Sequence, residues 1–403
     1  MAVARTFRTL ITAVFIFGFF AGCGDQNQYE QGVSDTEIKI GNTTPYSGPA
    51  SVYGVLGRAA AAYYSMINDS GGINGRKINF VSLDDGYSPP KTVEQIRKLV
   101  EEEQVLLLSG TVGTPTNSAV HEYINANQIP HILILSGAAK WGDPKNFPWT
   151  MGWNLSYVSE AKIYAQYILK TKPDAKIAVL YQNDDYGKDY LHGLKLGLGD
   201  KAESMIIAEA SYEVTDPTVD SQIISLKGSG ADTFVNVSTA KFSAQAIRKV
   251  HDIGWRPLHI LNNVSSSVGA VLEPAGLNKS IGLITANALK DPSDPQWEDF
   301  QDVQEYKSWM KKYYPKGDLS DINNVAGYSV AWGTVKVLEQ CGDDLSRANV
   351  MKQMASLKDI EAPMLLPGIK WNTSADDFYL VESAQLMRFD GKQWVRFGEV
   401  IGN

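Results

Sequence analysis

The sequence predicts an α/β fold of two lobes, each a parallel sheet flanked by helices. Three observations support this prediction. From residue 36 onward, short apolar segments typical of strands alternate with longer amphipathic segments typical of helices. The alternation starts again near residue 158, with no low-complexity linker in between. The chain of 403 residues is also long enough for about two domains.

The first series runs from residue 37 to residue 135. The segment 77–83 alternates polar and apolar residues with the period of a strand, and Val93, Ile96 and Leu99 share one face of a helix. The predicted strands are 37–42, 77–83, 105–108 and 131–135, and the predicted helices are 55–68, 90–102 and 118–126.

The second series repeats this order, and further helices and a hairpin follow it. The turn of the hairpin is predicted at Asp390-Gly391. The predicted strands are 176–181, 205–210, 233–237, 258–261 and 282–286, followed by the hairpin segments 378–389 and 394–400. The predicted helices are 158–170, 187–198, 219–227, 240–253, 297–314 and 325–340.

The N-terminal residues indicate export. Arg5 and Arg8 precede an apolar run at 9–20, which is too short to span a bilayer comfortably but suits a signal peptide. Small residues stand directly before Cys23, as in a bacterial lipobox, so we expect a signal peptide at 1–22 and a lipidated tether at 23–35. A plain secretory signal with a chance cysteine is the alternative. The predicted location is the periplasm or the outer face of the cytoplasmic membrane.

Composition and motifs argue against several classes of function. The net charge of −8 provides no basic surface for nucleic acid. The histidines and cysteines form no metal-binding motif, and neither a nucleophile elbow nor a nucleotide-binding loop is present. The doublets Asp84-Asp85 and Asp184-Asp185 are interpreted as turn and capping groups, and His131 as a core residue. The sequence therefore predicts a protein that is not an enzyme and uses no metal or cofactor.

Two doubly wound lobes would bind a ligand in loops at the carboxyl ends of their strands. The segment 110–116 carries Gly113 and Thr114 between a strand and a helix, where amides and hydroxyls suit an anionic group. A simple helix cap is the alternative. Trp141, Trp149 and Trp153 follow the next strand and could line an apolar pocket or pack the edge of the lobe.

Four segments resemble the Leu/Ile/Val-binding family of periplasmic solute-binding proteins. Residues 40–54 are similar to its first strand and Ser-Gly turn, and residues 67–78 to its glycine-rich turn from helix to strand. The third segment is Leu83-Asp84-Asp85 with the helix that follows it, and the fourth is Asp185-Tyr186-Gly187. The resemblance extends from about residue 37 to the C-terminus.

The resemblance implies a type I periplasmic binding fold, with two Rossmann-like lobes joined by a multi-strand hinge. It places 36–157 and 286–361 in the first lobe and 158–285 and 362–403 in the second. A solute would bind between the lobes, which close over it and present it to an inner-membrane ABC permease. The protein is expected to be a monomer, attached to the membrane through Cys23.

The resemblance also assigns ligand-binding residues. Tyr53 would face the cleft, Thr114 would bind a ligand carboxylate, and Tyr186 would close over the ligand. The backbone of Gly137 and Ala138 would contact its polar end, and Thr239 lies in the next contacting loop.

Two departures from the family leave the ligand open. Ala139 stands where amino acid binders usually have Thr, and the loop at 262–265, which contains Asn263, lacks their usual Glu. A buried ammonium group without a partner is costly. The ligand is therefore a branched-chain or related amino acid, or a small hydrophobic or aromatic carboxylate that Trp141 would suit. A urea- or amide-type solute and a sensor module that signals to a receptor are the alternatives.

Overall fold

The computed structural model describes residues 29–402 together with Met1. The predicted signal peptide beyond Met1 and the predicted lipidation site Cys23 lie outside the described residues. None of the described helices has the length and apolar character that crossing a membrane requires.

The first sheet is entirely parallel, with the strand order β2-β1-β3-β4-β5. Its strands are β1 (Glu37–Thr44), β2 (Lys77–Asp84), β3 (Leu107–Ser109), β4 (His131–Ile134) and β5 (Thr150–Gly152). The short edge strand β5 was not predicted from the sequence.

The second sheet has the order β12-β11-β10-β9-β8-β6-β7. Its strands are β6 (Ile177–Gln182), β7 (Ile206–Tyr212), β8 (Thr233–Val237), β9 (Leu258–Leu261), β10 (Ile284–Asn287), β11 (Ser383–Phe389) and β12 (Trp394–Gly402). Strands β6 to β10 are parallel, and β11 and β12 form the predicted hairpin on β10.

Helices pack on both sheets and confirm the predicted α/β architecture. Those of the first half are α1 (Gly54–Asp69), α2 (Pro89–Arg97), α3 (Thr114–Ser118), α4 (His121–Ala126), α5 (Tyr157–Thr171), α6 (Asp185–Leu198) and α7 (Ala202–Met205). The others are α8 (Asp220–Gly228), α9 (Ala240–Asp252), α10 (Glu273–Ala275), α11 (Gln301–Tyr313), α12 (Asn323–Cys341) and α13 (Arg347–Met354).

Burial explains why these residues form these elements. Every residue of β8 is buried, as expected for a parallel strand covered by helices on both faces. In α9, Phe242, Ala246 and Val250 are buried at helical spacing, whereas Lys241 is exposed. The apolar stripe of this helix therefore packs on the sheet.

The chain returns from the second sheet to the first lobe after β10, and α12 there packs along α1. Gly327 makes this contact close: a Cβ atom at its position would lie 2.4 Å from the Leu56 carbonyl oxygen. We use "first lobe" for the first sheet with α1–α4 and α11–α13, and "second lobe" for the second sheet with α5–α10.

Parts of the segment 362–381 contact the first lobe, whereas the sequence predicts 362–403 in the second. Trp371 contacts the Trp332 ring of α12, with ring centroids 5.6 Å apart, and lies against Gly333. The Tyr379 ring lies against Gly142. We therefore propose that the last crossing between the lobes lies just before β11, instead of at residue 362.

We predict that Gly327→Ala destabilises the protein by about 1–3 kcal/mol, because the added methyl group overpacks the contact between α1 and α12. Gly228→Ala is the matched control, since Gly228 ends a helix and has open space around its Cβ position. Urea denaturation measures both variants. Equal stability of the Gly327→Ala and Gly228→Ala variants would contradict the close contact.

Candidate functional site

A cavity of about 90 Å³ lies between the two lobes. Both lobes contribute to its wall, together with the segments that join them. Six residues predicted from the sequence line it: Tyr53, Gly113, Thr114, Tyr186, Thr239 and Asn263. A water molecule needs roughly 10–15 Å³ of such volume, so the cavity has room for a small organic solute.

Gly113 and Thr114 form the side of the cavity contributed by the first lobe. Gly113 has φ of 102°, and a Cβ atom there would lie 2.5 Å from the Tyr87 ring, so only glycine fits. The buried Thr114 hydroxyl shares a hydrogen bond of 2.7 Å with the Ser136 hydroxyl. Buried Asp85 accepts a hydrogen bond from the Tyr87 amide at 3.0 Å and so holds this aromatic residue at the cavity.

Tyr53 connects the lobes directly. Its hydroxyl accepts a hydrogen bond from the Ala240 amide at 3.0 Å and donates to the Val264 carbonyl oxygen at 3.4 Å. Tyr53 belongs to the first lobe and both partners to the second. The phenol thus bridges the two lobes.

Tyr186 and Thr239 line the cavity from the second lobe. The Tyr186 hydroxyl donates to Asn262 Oδ1 at 3.0 Å, and its ring meets the Tyr157 ring edge to face at 5.1 Å. The Thr239 hydroxyl shares a hydrogen bond of 3.3 Å with the Tyr212 hydroxyl. Burial raises the pKa of the Tyr157 phenol to about 12 and that of Tyr186 well above its usual value, so both stay neutral.

Glu160 holds Asn263 in place from behind the cavity wall. Its Oε1 accepts hydrogen bonds from the Asn263 amide at 2.8 Å and the Tyr164 hydroxyl at 2.6 Å. Its Oε2 accepts one from the Tyr190 hydroxyl at 2.7 Å. Burial raises the pKa of this carboxyl to about 7. Although the loop at 262–265 contains no carboxylate, a carboxylate from α5 supports it.

The structure places the loop with Gly137, Ala138, Ala139 and Trp141 outside the cavity. Gly137 faces the chain after β5, since a Cβ atom there would lie 2.3 Å from the Leu155 carbonyl oxygen. Gly137, Ala138 and Trp141 instead line a second, smaller cavity next to Tyr379.

The remaining polar groups of this loop are already used. The Trp141 indole N–H donates to the Ser136 hydroxyl at 2.9 Å, and the Ala139 amide donates to Asp189 Oδ2 at 2.8 Å. Leu155 and its neighbours lie between this loop and the cavity between the lobes. We therefore leave these four predicted residues out of the proposed site.

The segment between β5 and α5 replaces that loop in the cavity wall. Trp153, Asn154, Leu155 and Tyr157 all line the cavity. Among these four, the sequence singled out only Trp153, as one of three tryptophans that could line a pocket. The short strand β5 carries no clear strand pattern, so the position of the segment that follows it was not predictable.

The acidic doublets and His131 have structural roles, as the sequence indicated. Asp84 accepts hydrogen bonds from the Ser47 and Gly86 amides, and Asp184 accepts one from the Gly187 amide at the start of α6. The fully buried His131 shares a hydrogen bond of 2.6 Å with the Thr111 hydroxyl.

We predict that Glu160→Gln changes how stability depends on pH. The pKa of Glu160 is raised from 4.5 to about 7, so between these values the folded protein holds a proton that the unfolded chain has lost. The stabilisation that this group contributes is fully present below pH 4.5 and is lost as the pH rises to 7. The free energy of unfolding falls by at most about 1.4 kcal/mol per pH unit over this range.

Urea denaturation between pH 4.5 and 7 tests this prediction. The free energy of unfolding of Glu160→Gln relative to wild type should increase steadily with pH. Glu122→Gln, which changes an exposed carboxyl in α4, is the control. Parallel curves for wild type and Glu160→Gln would show that burial does not perturb this group.

Comparisons with known proteins identify the family to which the chain belongs. Residues 37–393 match the family described as periplasmic binding protein. Leu/Ile/Val-binding protein homolog 7 of Brucella suis is 25% identical over 386 residues, which cover 90% of each chain.

Solved structures share the fold. A branched-chain amino acid ABC transporter protein from Thermus thermophilus with bound valine has a TM-score of 0.82, 16% identity, and coverage of 92% of this chain and 98% of that one. A fatty acid ABC transporter substrate-binding protein from Thermomonospora curvata has a TM-score of 0.75 and 22% identity. The match covers 93% of this chain and 95% of that one. The chain therefore belongs to the periplasmic binding protein family, and its resemblance to the Leu/Ile/Val-binding proteins is confirmed.

Proposed function

We propose that this chain is the extracytoplasmic solute-binding component of an ABC importer and that its two lobes close over a small hydrophobic solute. The cavity between the lobes is the observation that supports this proposal most strongly. Its wall is formed by Thr114 of the first lobe and Tyr186 and Thr239 of the second. A solute in this position would contact both lobes only when they are closed, so its binding would favour the closed state.

The contacts at the rim support the same mechanism. Lys140 of the first lobe pairs with Asp185 of the second at 2.6 Å, and the Ser267 hydroxyl donates to Asp321 at 2.8 Å. These contacts and those of Tyr53 would break together if the lobes separated by hinge bending. The closed form would then present a surface to the ABC permease that the open form lacks.

The relatives support a transport role but differ in ligand. The Brucella relative is named for leucine, isoleucine and valine, and one solved neighbour is a fatty acid transporter protein. The names of these relatives support two ligand classes, a branched-chain amino acid and a hydrophobic carboxylate.

We predict that Ala326→Phe abolishes solute binding, because Ala326 of α12 lines the cavity and an added ring would fill it. Binding to wild type should raise the free energy of unfolding by about 2.7 kcal/mol at a hundredfold excess over Kd. A thermal-shift panel of leucine, valine, isovalerate, isovaleramide, benzoate and benzamide measures this stabilisation.

Ala61→Phe, on the exposed side of α1, is the matched control and should keep every shift seen with wild type. If Ala326→Phe kept the same shifts, the solute would bind elsewhere and the proposed site would be wrong.

We also propose that Cys23 carries a lipid that anchors the protein to the outer face of the cytoplasmic membrane. Cys23→Ala should move the protein from the membrane fraction to the soluble fraction on cell fractionation. Cys341→Ala is the control, because this cysteine is buried in α12. A Cys23→Ala variant that stays with the membrane after removal of its signal peptide would exclude the anchor.

A further inference from the structure

The wall of the cavity is polar in places but uncharged. Of the described residues that line it, none is an Asp, Glu, Lys, Arg or His. The polar side chains are phenols, hydroxyls, amides and the indole of Trp153, and burial keeps the phenols neutral by raising their pKa. An ionised group that enters such a site loses its hydration and gains no opposite charge in return.

The carboxyl groups behind the wall already accept hydrogen bonds within the protein. Glu160 accepts three hydrogen bonds from the second lobe. Asp184 accepts hydrogen bonds from the Gln182 side chain at 2.6 Å and from the Gly187 amide. Asp321 accepts hydrogen bonds from Ser267 and Asn323.

The same holds at the rim. Asp185 pairs with Lys140 at 2.6 Å, and Asp189 accepts a hydrogen bond from the Ala139 amide. A ligand carboxylate would have to break the pair of Lys140 with Asp185 to gain a counter-charge at the rim, and a ligand ammonium finds no carboxylate in the lining itself.

Two polar atoms in the wall do lack a partner. Within the described part of the chain, Trp153 Nε1 and Asn154 Oδ1 are buried and make no hydrogen bond. Trp153 is 6% exposed, and both residues line the cavity. An indole N–H is a donor and an amide oxygen is an acceptor, so together they match a neutral group that both accepts and donates. An unpaired buried polar group is costly, so a solute that satisfies these atoms recovers free energy.

We propose that the solute is uncharged: a small branched or aromatic group that carries an amide, or a similar neutral group, recognised by Trp153 and Asn154. This proposal rests on the proposed function, since it names the ligand of the same cavity. The volume of about 90 Å³ requires that the apolar part of the solute be small.

An isosteric series tests the proposal by calorimetry on the wild-type protein. Four compounds share a branched chain and differ in their charged groups: isovaleramide, isovalerate, isoamylammonium and leucine. Benzamide and benzoate share a ring and differ in the same way. We expect the amides to bind at least roughly tenfold more tightly than their charged counterparts. Equal or tighter binding of leucine, isovalerate or benzoate would overturn the proposal while leaving the solute-binding function intact. No binding of any member would overturn the proposed function itself.

Asn154→Asp adds a second, independent measurement. A carboxylate in the wall should raise the affinity for isoamylammonium relative to isovaleramide by at least roughly tenfold. Asn278→Asp, which introduces the same change at an exposed position, should leave the ratio unchanged. An unchanged ratio in Asn154→Asp, with the variant folded by its thermal transition, would show that Asn154 does not meet the polar group of the solute.

Discussion

If the two lobes close over a solute as proposed, the polar groups at their interface are removed from water, and each of these groups must then find a partner. In this protein the second lobe satisfies the Tyr53 phenol through Ala240 and Val264, and Lys140 and Asp185 pair across the rim. The polar atoms left over in the cavity belong to neutral side chains. Complementarity between the lobes therefore limits what a solute can bring into the cavity.

The second lobe prepares its side of the cavity by means of buried polar contacts. Glu160 fixes the backbone of Asn263, and Asn262 positions the Tyr186 phenol. A buried carboxyl costs free energy, and three donors offset this cost in part for Glu160, whose pKa burial still raises to about 7. Its position behind the loop, one turn into α5, orders the wall without adding a free charge to it.

The fold was predictable from the sequence because its strands and helices have distinct periods. Helix α9 and strand β8 match their predicted positions closely, since burial in a parallel sheet leaves a strong apolar pattern. The site was predictable only in part. Tyr53, Thr114 and Tyr186 line the cavity, and so does Trp153, which the sequence named as one of three candidate tryptophans, but Asn154 reaches it through the path of the chain after β5. Glu160 contacts a loop about a hundred residues later in the chain, which no local pattern reveals.

The number of protons taken up when a weak acid occupies the cavity tests the central claim most directly. Calorimetric titration with isovalerate, in two buffers of different ionisation enthalpy, gives this number, and the same titration with isovaleramide corrects for protons taken up by the protein. An uncharged cavity admits the acid only in its neutral form, so the corrected uptake should be close to one proton per acid bound. Tight binding of isovalerate without proton uptake would mean that the cavity accepts a charge, and would contradict the assignment of a neutral solute.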